Sequence, residues 1–135
     1  MAKTADMIFC LDTEKDPIQG VVAKTILTVI ELETIPGSLS FSNIITILDV
    51  DTSIEHHIVI QIKETEEVLA KAEINTPVLP ILVDLPEEYR GINIAIDWKN
   101  INFTNTGVYS LCVYFDEDLI GTRNVFVKEV IKNEA

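Results

Sequence analysis

His56 and His57 are the only histidines in this chain of 135 residues, and they follow the acid-rich run Asp49-Val50-Asp51-Thr52-Ser53-Ile54-Glu55. Imidazoles beside carboxylates suggest proton transfer or a divalent metal. Their spacing argues against both. Adjacent residues on a strand point to opposite faces, so the two rings do not chelate one ion. They are read as a strand start with one histidine exposed. Asp49 to Glu55 superficially resembles the opening of a calcium loop, but the glycine needed at its sixth position is Ile54 and its twelfth position is Ile60 rather than Glu. A looser cation site on Asp49, Asp51 and Glu55, or on Asp116 to Asp118, competes with solvated turn acids, and the turn acids are preferred.

The remaining reactive groups are sparse. Cys10 and Cys112 form no Cys-x-x-Cys spacing and are read as buried, reduced thiols. No Gly-x-Ser-x-Gly elbow, no Ser-His-Asp signature and no phosphate-cradling glycine loop is present. Carboxylates are abundant, yet none stands out as a glycosidase-like pair. Trp98 lies in phase with Ile92, Ile94 and Ile96 and is read as core rather than as a sugar platform. The expectation is a non-enzyme with no catalytic residue, no cofactor, no cofactor-binding residue and no metal ligand.

The elements that carry these residues read as strands. Ile, Val and Thr number 20, 13 and 12, one third of the chain, and such β-branched side chains suit a pleated sheet. The expected strands begin with Ala5 to Leu11, followed by a polar loop over Asp12 to Gly20. A long, bent or bulged strand covers Val21 to Leu32, Pro36-Gly37 marks a turn, and the next strand is Asn43 to Val50. His57 to Lys63 alternates, with Ile58, Ile60 and Ile62 on one face. Val68, Ala70, Ala72 and Ile74 return on one face after a short hairpin at Thr65-Glu66-Glu67. Glu64 to Glu73 also suits a short helix by composition, but the two-residue period favours the hairpin. Pro77, Pro80 and Pro86 punctuate an irregular stretch or edge strand. The apolar parity set by Ile92 to Trp98 shifts after Lys99-Asn100 to Ile101 and Phe103, which predicts a bulge. Tyr109, Leu111, Val113 and Phe115 face inward, Asp116-Glu117-Asp118 turns the chain, and Leu119 to Lys128 closes it. Together they make a single all-β domain over 1–135, an antiparallel sandwich of about eight strands with no long helix.

The net charge is −12, from 22 acidic and 10 basic residues. Phosphate backbones and anionic membrane surfaces attract cations, so direct nucleic-acid binding and membrane binding are disfavoured. No secretory signal or run of about 20 apolar residues is visible, and the chain reads as cytoplasmic. At this length a core burying about 65–70% of the unfolded surface needs no disulfide.

Two resemblances sharpen this reading. Asn105-Thr106-Gly107-Val108-Tyr109 resembles the tyrosine corner of immunoglobulin-like sandwiches, in which a tyrosine at a strand start bonds back to nearby backbone. The chain also resembles a bacterial family of small intracellular sandwich proteins, domain of unknown function 6941. The resemblance lies in Met7-Ile8-Phe9-Cys10-Leu11-Asp12, in Val21 to Leu48 with Pro36 between two strands, and in Asn102 to Tyr109 followed by Asp116-Glu117-Asp118-Leu119-Ile120-Gly121 and Val125-Phe126-Val127. It implies an immunoglobulin-like fold and brings no catalytic residues. The second cysteine of antibody-type domains would fall at Leu111, and Cys112 has the opposite parity, so a Cys10–Cys112 bridge has no support.

One pattern exceeds a plain sandwich. Val22, Ile26 and Ile30 on one side oppose Val21, Leu27 and Val29, and Ile44 and Leu48 oppose Ile45 and Ile47. A sandwich strand needs one apolar face. The second face calls for a cover: the proline-containing 77–86 segment or another protein chain, a second copy first among them. The expected function is a protein-interaction module. The alternative is an acidic inhibitor of the phage or mobile-element type, mimicking nucleic-acid charge in a partner's basic groove.

Overall fold

The computed structural model of the chain describes residues 4–16, 18, 20–78, 86 and 89–130. Nine strands make up most of it: β1 (Thr4–Asp16), β2 (Gly20–Leu27), β3 (Val29–Leu32), β4 (Gly37–Leu48), β5 (His57–Glu64), β6 (Glu67–Asn75), β7 (Gly91–Phe103), β8 (Gly107–Phe115) and β9 (Asp118–Glu129). They form a four-stranded sheet, β2-β1-β4-β7, and a five-stranded sheet, β3-β9-β8-β5-β6. β9, β8, β5 and β6 take the places of the G, F, C and C′ strands of an immunoglobulin-like sandwich, and β4 and β7 those of B and E. The fold is an all-β immunoglobulin-like sandwich. The β1–β2 hairpin extends the smaller sheet at one edge.

The expected alternation is realised where one face is buried. Ile58, Ile60 and Ile62 of β5 and Tyr109, Leu111, Val113 and Phe115 of β8 all enter the core. From the other sheet come Phe9, Phe41, Ile45, Ile47, Trp98 and Phe103. Each large aliphatic side chain so buried contributes about 1.5–3 kcal/mol relative to exposure. Aromatic rings cross the interior in a chain: Phe9 to Phe41 at 5.8 Å, Phe41 to Phe103 at 6.1 Å, and Phe103 edge-on to Tyr109 at 4.9 Å. The bulge predicted at Lys99-Asn100 is present. Leu39 pairs with Ile101 but Phe41 pairs with Trp98, and Asn100 takes a φ of 50°. Its amide donates to the Ser40 hydroxyl at 2.9 Å, which fixes the extra residue.

Several boundaries differ from the sequence reading. The expected loop over Asp12 to Gly20 is largely strand: β1 runs on to Asp16 and pairs with β2 down to Gly20. Polar residues on a two-stranded edge ribbon carry no core pattern, so composition alone made them a loop. Val21 to Leu32 is two strands in different sheets rather than one. β2 pairs with β1, and β3 pairs in parallel with β9. Among the described residues the sandwich therefore has nine strands, beside the expected about eight, and one parallel pair in otherwise antiparallel sheets. Ile26 and Ile30 do not share a face, because the chain changes sheets between them. The strand expected from Asn43 begins at Gly37, and Val50 lies beyond its end. Most of the 77–86 segment lies outside the described residues.

One close contact joins the sheets at their edge. A Cβ on Gly121 of β9 would meet Met7 Cε at 2.9 Å and Ala5 Cβ at 3.1 Å. The missing side chain lets β1 approach β9. Beside it Arg123 donates to the Met7 carbonyl at 2.9 Å.

Candidate functional site

The histidine neighbourhood forms one end of the sandwich. The β4–β5 loop, the residue after β6 and the β8–β9 turn converge there. Asp116 and Glu117 are the central residues of that turn, with φ of 47° and 77°, between the paired Phe115 and Asp118. This is the backbone handedness that two-residue hairpins favour. Asp116 tolerates it because its polar groups are engaged: its amide donates to the His57 carbonyl at 2.8 Å, and its Oδ1 accepts the His57 amide at 2.9 Å.

His56 is buried, and His57 is half-exposed on the opposite face, as strand parity requires. The His56 ring packs on Phe115 with 4.6 Å between centroids. Its Nδ1 lies 2.6 Å from Asp116 Oδ2, and its Nε2 lies 2.7 Å from the Asp51 carbonyl. The His56 amide donates to Thr76 Oγ1 at 2.8 Å, and the Thr76 amide donates to the His56 carbonyl at 2.9 Å. Partial burial pushes the Asp116 carboxyl up, but the His57 amide and His56 ring outweigh it and hold the group below its ordinary range.

The Asp51 carboxylate is turned to its own loop, accepting the Ser53 hydroxyl and amide, and these two bonds lower its pKa. The Asp51 carbonyl and the Asp116 carboxylate converge on the His56 ring. Among the described residues no three His, Cys, Asp or Glu side chains are arranged to hold a metal ion.

Cys10 and Cys112 are buried and unbridged, on the outer faces of opposite sheets. Cys112 is buried even though its parity points outward. Burial, with Asp12 and Asp97 nearby, raises the Cys10 thiol pKa. Trp98 lies in the core, where its Nε1–H donates to Asn43 Oδ1 at 2.8 Å, and Asn43 Nδ2 donates to the Ile8 carbonyl at 3.0 Å. Asn43 and Arg123 were missed in the sequence. Each was signalled by a polar residue on an inward parity, Asn43 between Phe41 and Ile45, and Arg123 before Val125 and Val127.

Among the described residues, the open grooves at the sheet edges include two of similar size. One, of about 450 Å³, has Asp6, Ile8, Ile44, Thr46 and Arg123 among its walls. The other, of about 470 Å³, lies between β6 and β7, with Glu64, Glu67, Lys99 and Asn100 around Leu69 and Ile101. Neither brings a nucleophile and a base together.

The outer face of the smaller sheet is the largest departure from a plain sandwich. Register places Ile8, Ile44 and Ala95 in one row across β1, β4 and β7. The next row is Ile26, Cys10, Ser42 and Asp97. Ile26 is 62% exposed, and Ile8, Ile44 and Leu48 are half-buried. The Ser42 hydroxyl donates to the Asp97 carboxylate at the rim.

No family model and no curated protein matches the chain. Among solved structures it is similar to an immunoglobulin-like protein from Pseudomonas aeruginosa, with 11% identity and a TM-score of 0.40, covering 95% of this chain and 98% of that one. It is also similar to part of a β-glucosidase from Listeria innocua, seen with gluconolactone (11% identity, TM-score 0.42, 94% of this chain). The chain spans 17% of the β-glucosidase's length. Likeness at this level brings no site, substrate or partner to the chain. No helix among the described residues is long and apolar enough to cross a membrane.

Proposed function

We propose that the chain is a non-enzymatic protein-interaction module of the cytoplasm that docks through the outer face of the β2-β1-β4-β7 sheet. The observation that carries this reading is the apolar row Ile8-Ile44-Ala95, flanked by the exposed Ile26. The buried side of the same strands already supplies the core, so folding alone does not require these residues. An apolar surface of this kind marks a contact site. The first partner is a second copy of the chain, meeting face to face about a two-fold axis so that each apolar row covers the other. Sedimentation of the intact chain and of an Ile44→Lys variant tests this reading: the dimer should dissociate when the charge is introduced.

A second reading rests on the loop end. Asp49, Asp51, Glu55, Asp116, Glu117 and Asp118 occupy two short segments with no Lys or Arg among residues 49–57 and 116–119. An acidic end on a chain of charge −12 suits an inhibitor that fills a basic groove, of the phage or mobile-element type. Association of that kind weakens steeply with salt, whereas the apolar face holds.

A further inference from the structure

We infer that His56 is a charged clasp, an imidazolium whose two N–H groups hold the β4–β5 loop, one to its own Asp51 and one to the β8–β9 turn, and that losing its proton loosens this end of the sandwich.

The geometry carries this directly. Both ring nitrogens face oxygens at hydrogen-bond distance, Asp116 Oδ2 at 2.6 Å and the Asp51 carbonyl at 2.7 Å. A backbone carbonyl only accepts. The Asp116 carboxylate is held ionised by its contacts, so it also only accepts. A neutral imidazole has one N–H and one bare lone pair, and either tautomer turns that lone pair toward an oxygen. Only the doubly protonated ring satisfies both sides.

Among the described residues, the groups that the ring meets are acceptors or apolar. From the turn the ring meets Asp116; from its own loop it meets Asp51, whose carboxylate is occupied by Ser53 and senses both His56 and Arg90. From β8 it meets the Phe115 ring, and the neighbouring Thr76 hydroxyl already accepts the His56 amide. On β5 the adjacent His57 points away, toward Glu73 of β6 at 3.8 Å. Glu55 precedes the ring and is exposed. The elements joined by the clasp lie far apart in sequence, 60 residues separating His56 from Asp116. Deprotonation removes one of these two bonds, neither of them inside a strand, so the sheets stay paired while the loop end loosens.

Long-range proton–nitrogen NMR on the wild-type chain tests the clasp without a substitution, and His57, the only other histidine, is the internal reference. The clasp predicts protons on both His56 nitrogens as long as the His57 and Asp116 amides stay protected. It further predicts that amide exchange of His57 and Asp116, corrected for the intrinsic effect of pH, quickens about tenfold once the ring is neutral, as expected for losing one charge-assisted bond. In Asp116→Asn this pH-dependent step should disappear, while His57→Gln retains it. A bare nitrogen on His56 while those amides are still protected overturns the inference, as does exchange that stays the same when the ring loses its proton.

Discussion

Tyr109 and Asn105 are joined in both directions: the Tyr109 hydroxyl donates to the Asn105 carbonyl at 2.9 Å and accepts the Asn105 amide at 3.2 Å. This is the tyrosine corner expected from Gly107-Val108-Tyr109, and Gly107 provides the φ of 151° at the strand start that a side chain would resist. Replacing Tyr109 by Phe keeps the ring against Phe103 and removes only the hydroxyl. It should lower stability by about 1 kcal/mol in urea unfolding, because the freed Asn105 backbone is exposed and can take water.

Asn43 should matter more. Its side chain is fully buried and serves two groups at once, the Trp98 N–H and the Ile8 carbonyl. Asn43→Ala leaves the Trp98 N–H without its acceptor in the interior and takes one bond from the Ile8 carbonyl, at a cost of about 2–4 kcal/mol measured by chemical denaturation. Trp98→Phe in the Asn43→Ala background removes one orphan and should cost less than it does alone, which a double-mutant cycle reads.

Gly121 marks where β1 and β9 touch. Gly121→Val should destabilise by about 1–3 kcal/mol through overpacking against Met7 and Ala5. Gly121→Ala should be milder, since Met7 Cε is the movable end of a side chain while Ala5 Cβ is not. Thermal unfolding of both variants, with and without Met7→Ala, separates the two contacts.

Asp116 sets an acid limb. Its folded pKa is depressed, so it contributes stability that is fully present above the unfolded carboxyl value and is lost as pH falls through the folded value. Denaturation midpoints of the wild type should therefore decline on acidification below about pH 4. Asp116→Asn should start lower at neutral pH and show a shallower decline.

The paired strands were legible where a buried face forces a two-residue period: β5, β6 and β8 follow the Ile58, Val68 and Tyr109 series, and even the β7 bulge is written in the parity change at Lys99-Asn100. The break between β2 and β3 was not legible, because apolar residues fill both parities from Val21 to Leu32 and no glycine or proline interrupts them. The parallel β3–β9 pairing joins segments nearly a hundred positions apart and leaves no local trace. Opposite faces for His56 and His57 could be read from adjacency. The partner of His56 could not, since Asp116 reaches it only after the sheet has formed.

The apolar outer face is tested most directly by the solution mass of the intact chain at micromolar concentration, by sedimentation or light scattering, at low and high salt. The account predicts twice the 15.1 kDa of one chain, little changed by salt, falling to a single chain in Ile26→Lys/Ile44→Lys. A wild-type monomer at that concentration, or a dimer indifferent to both lysines, contradicts it.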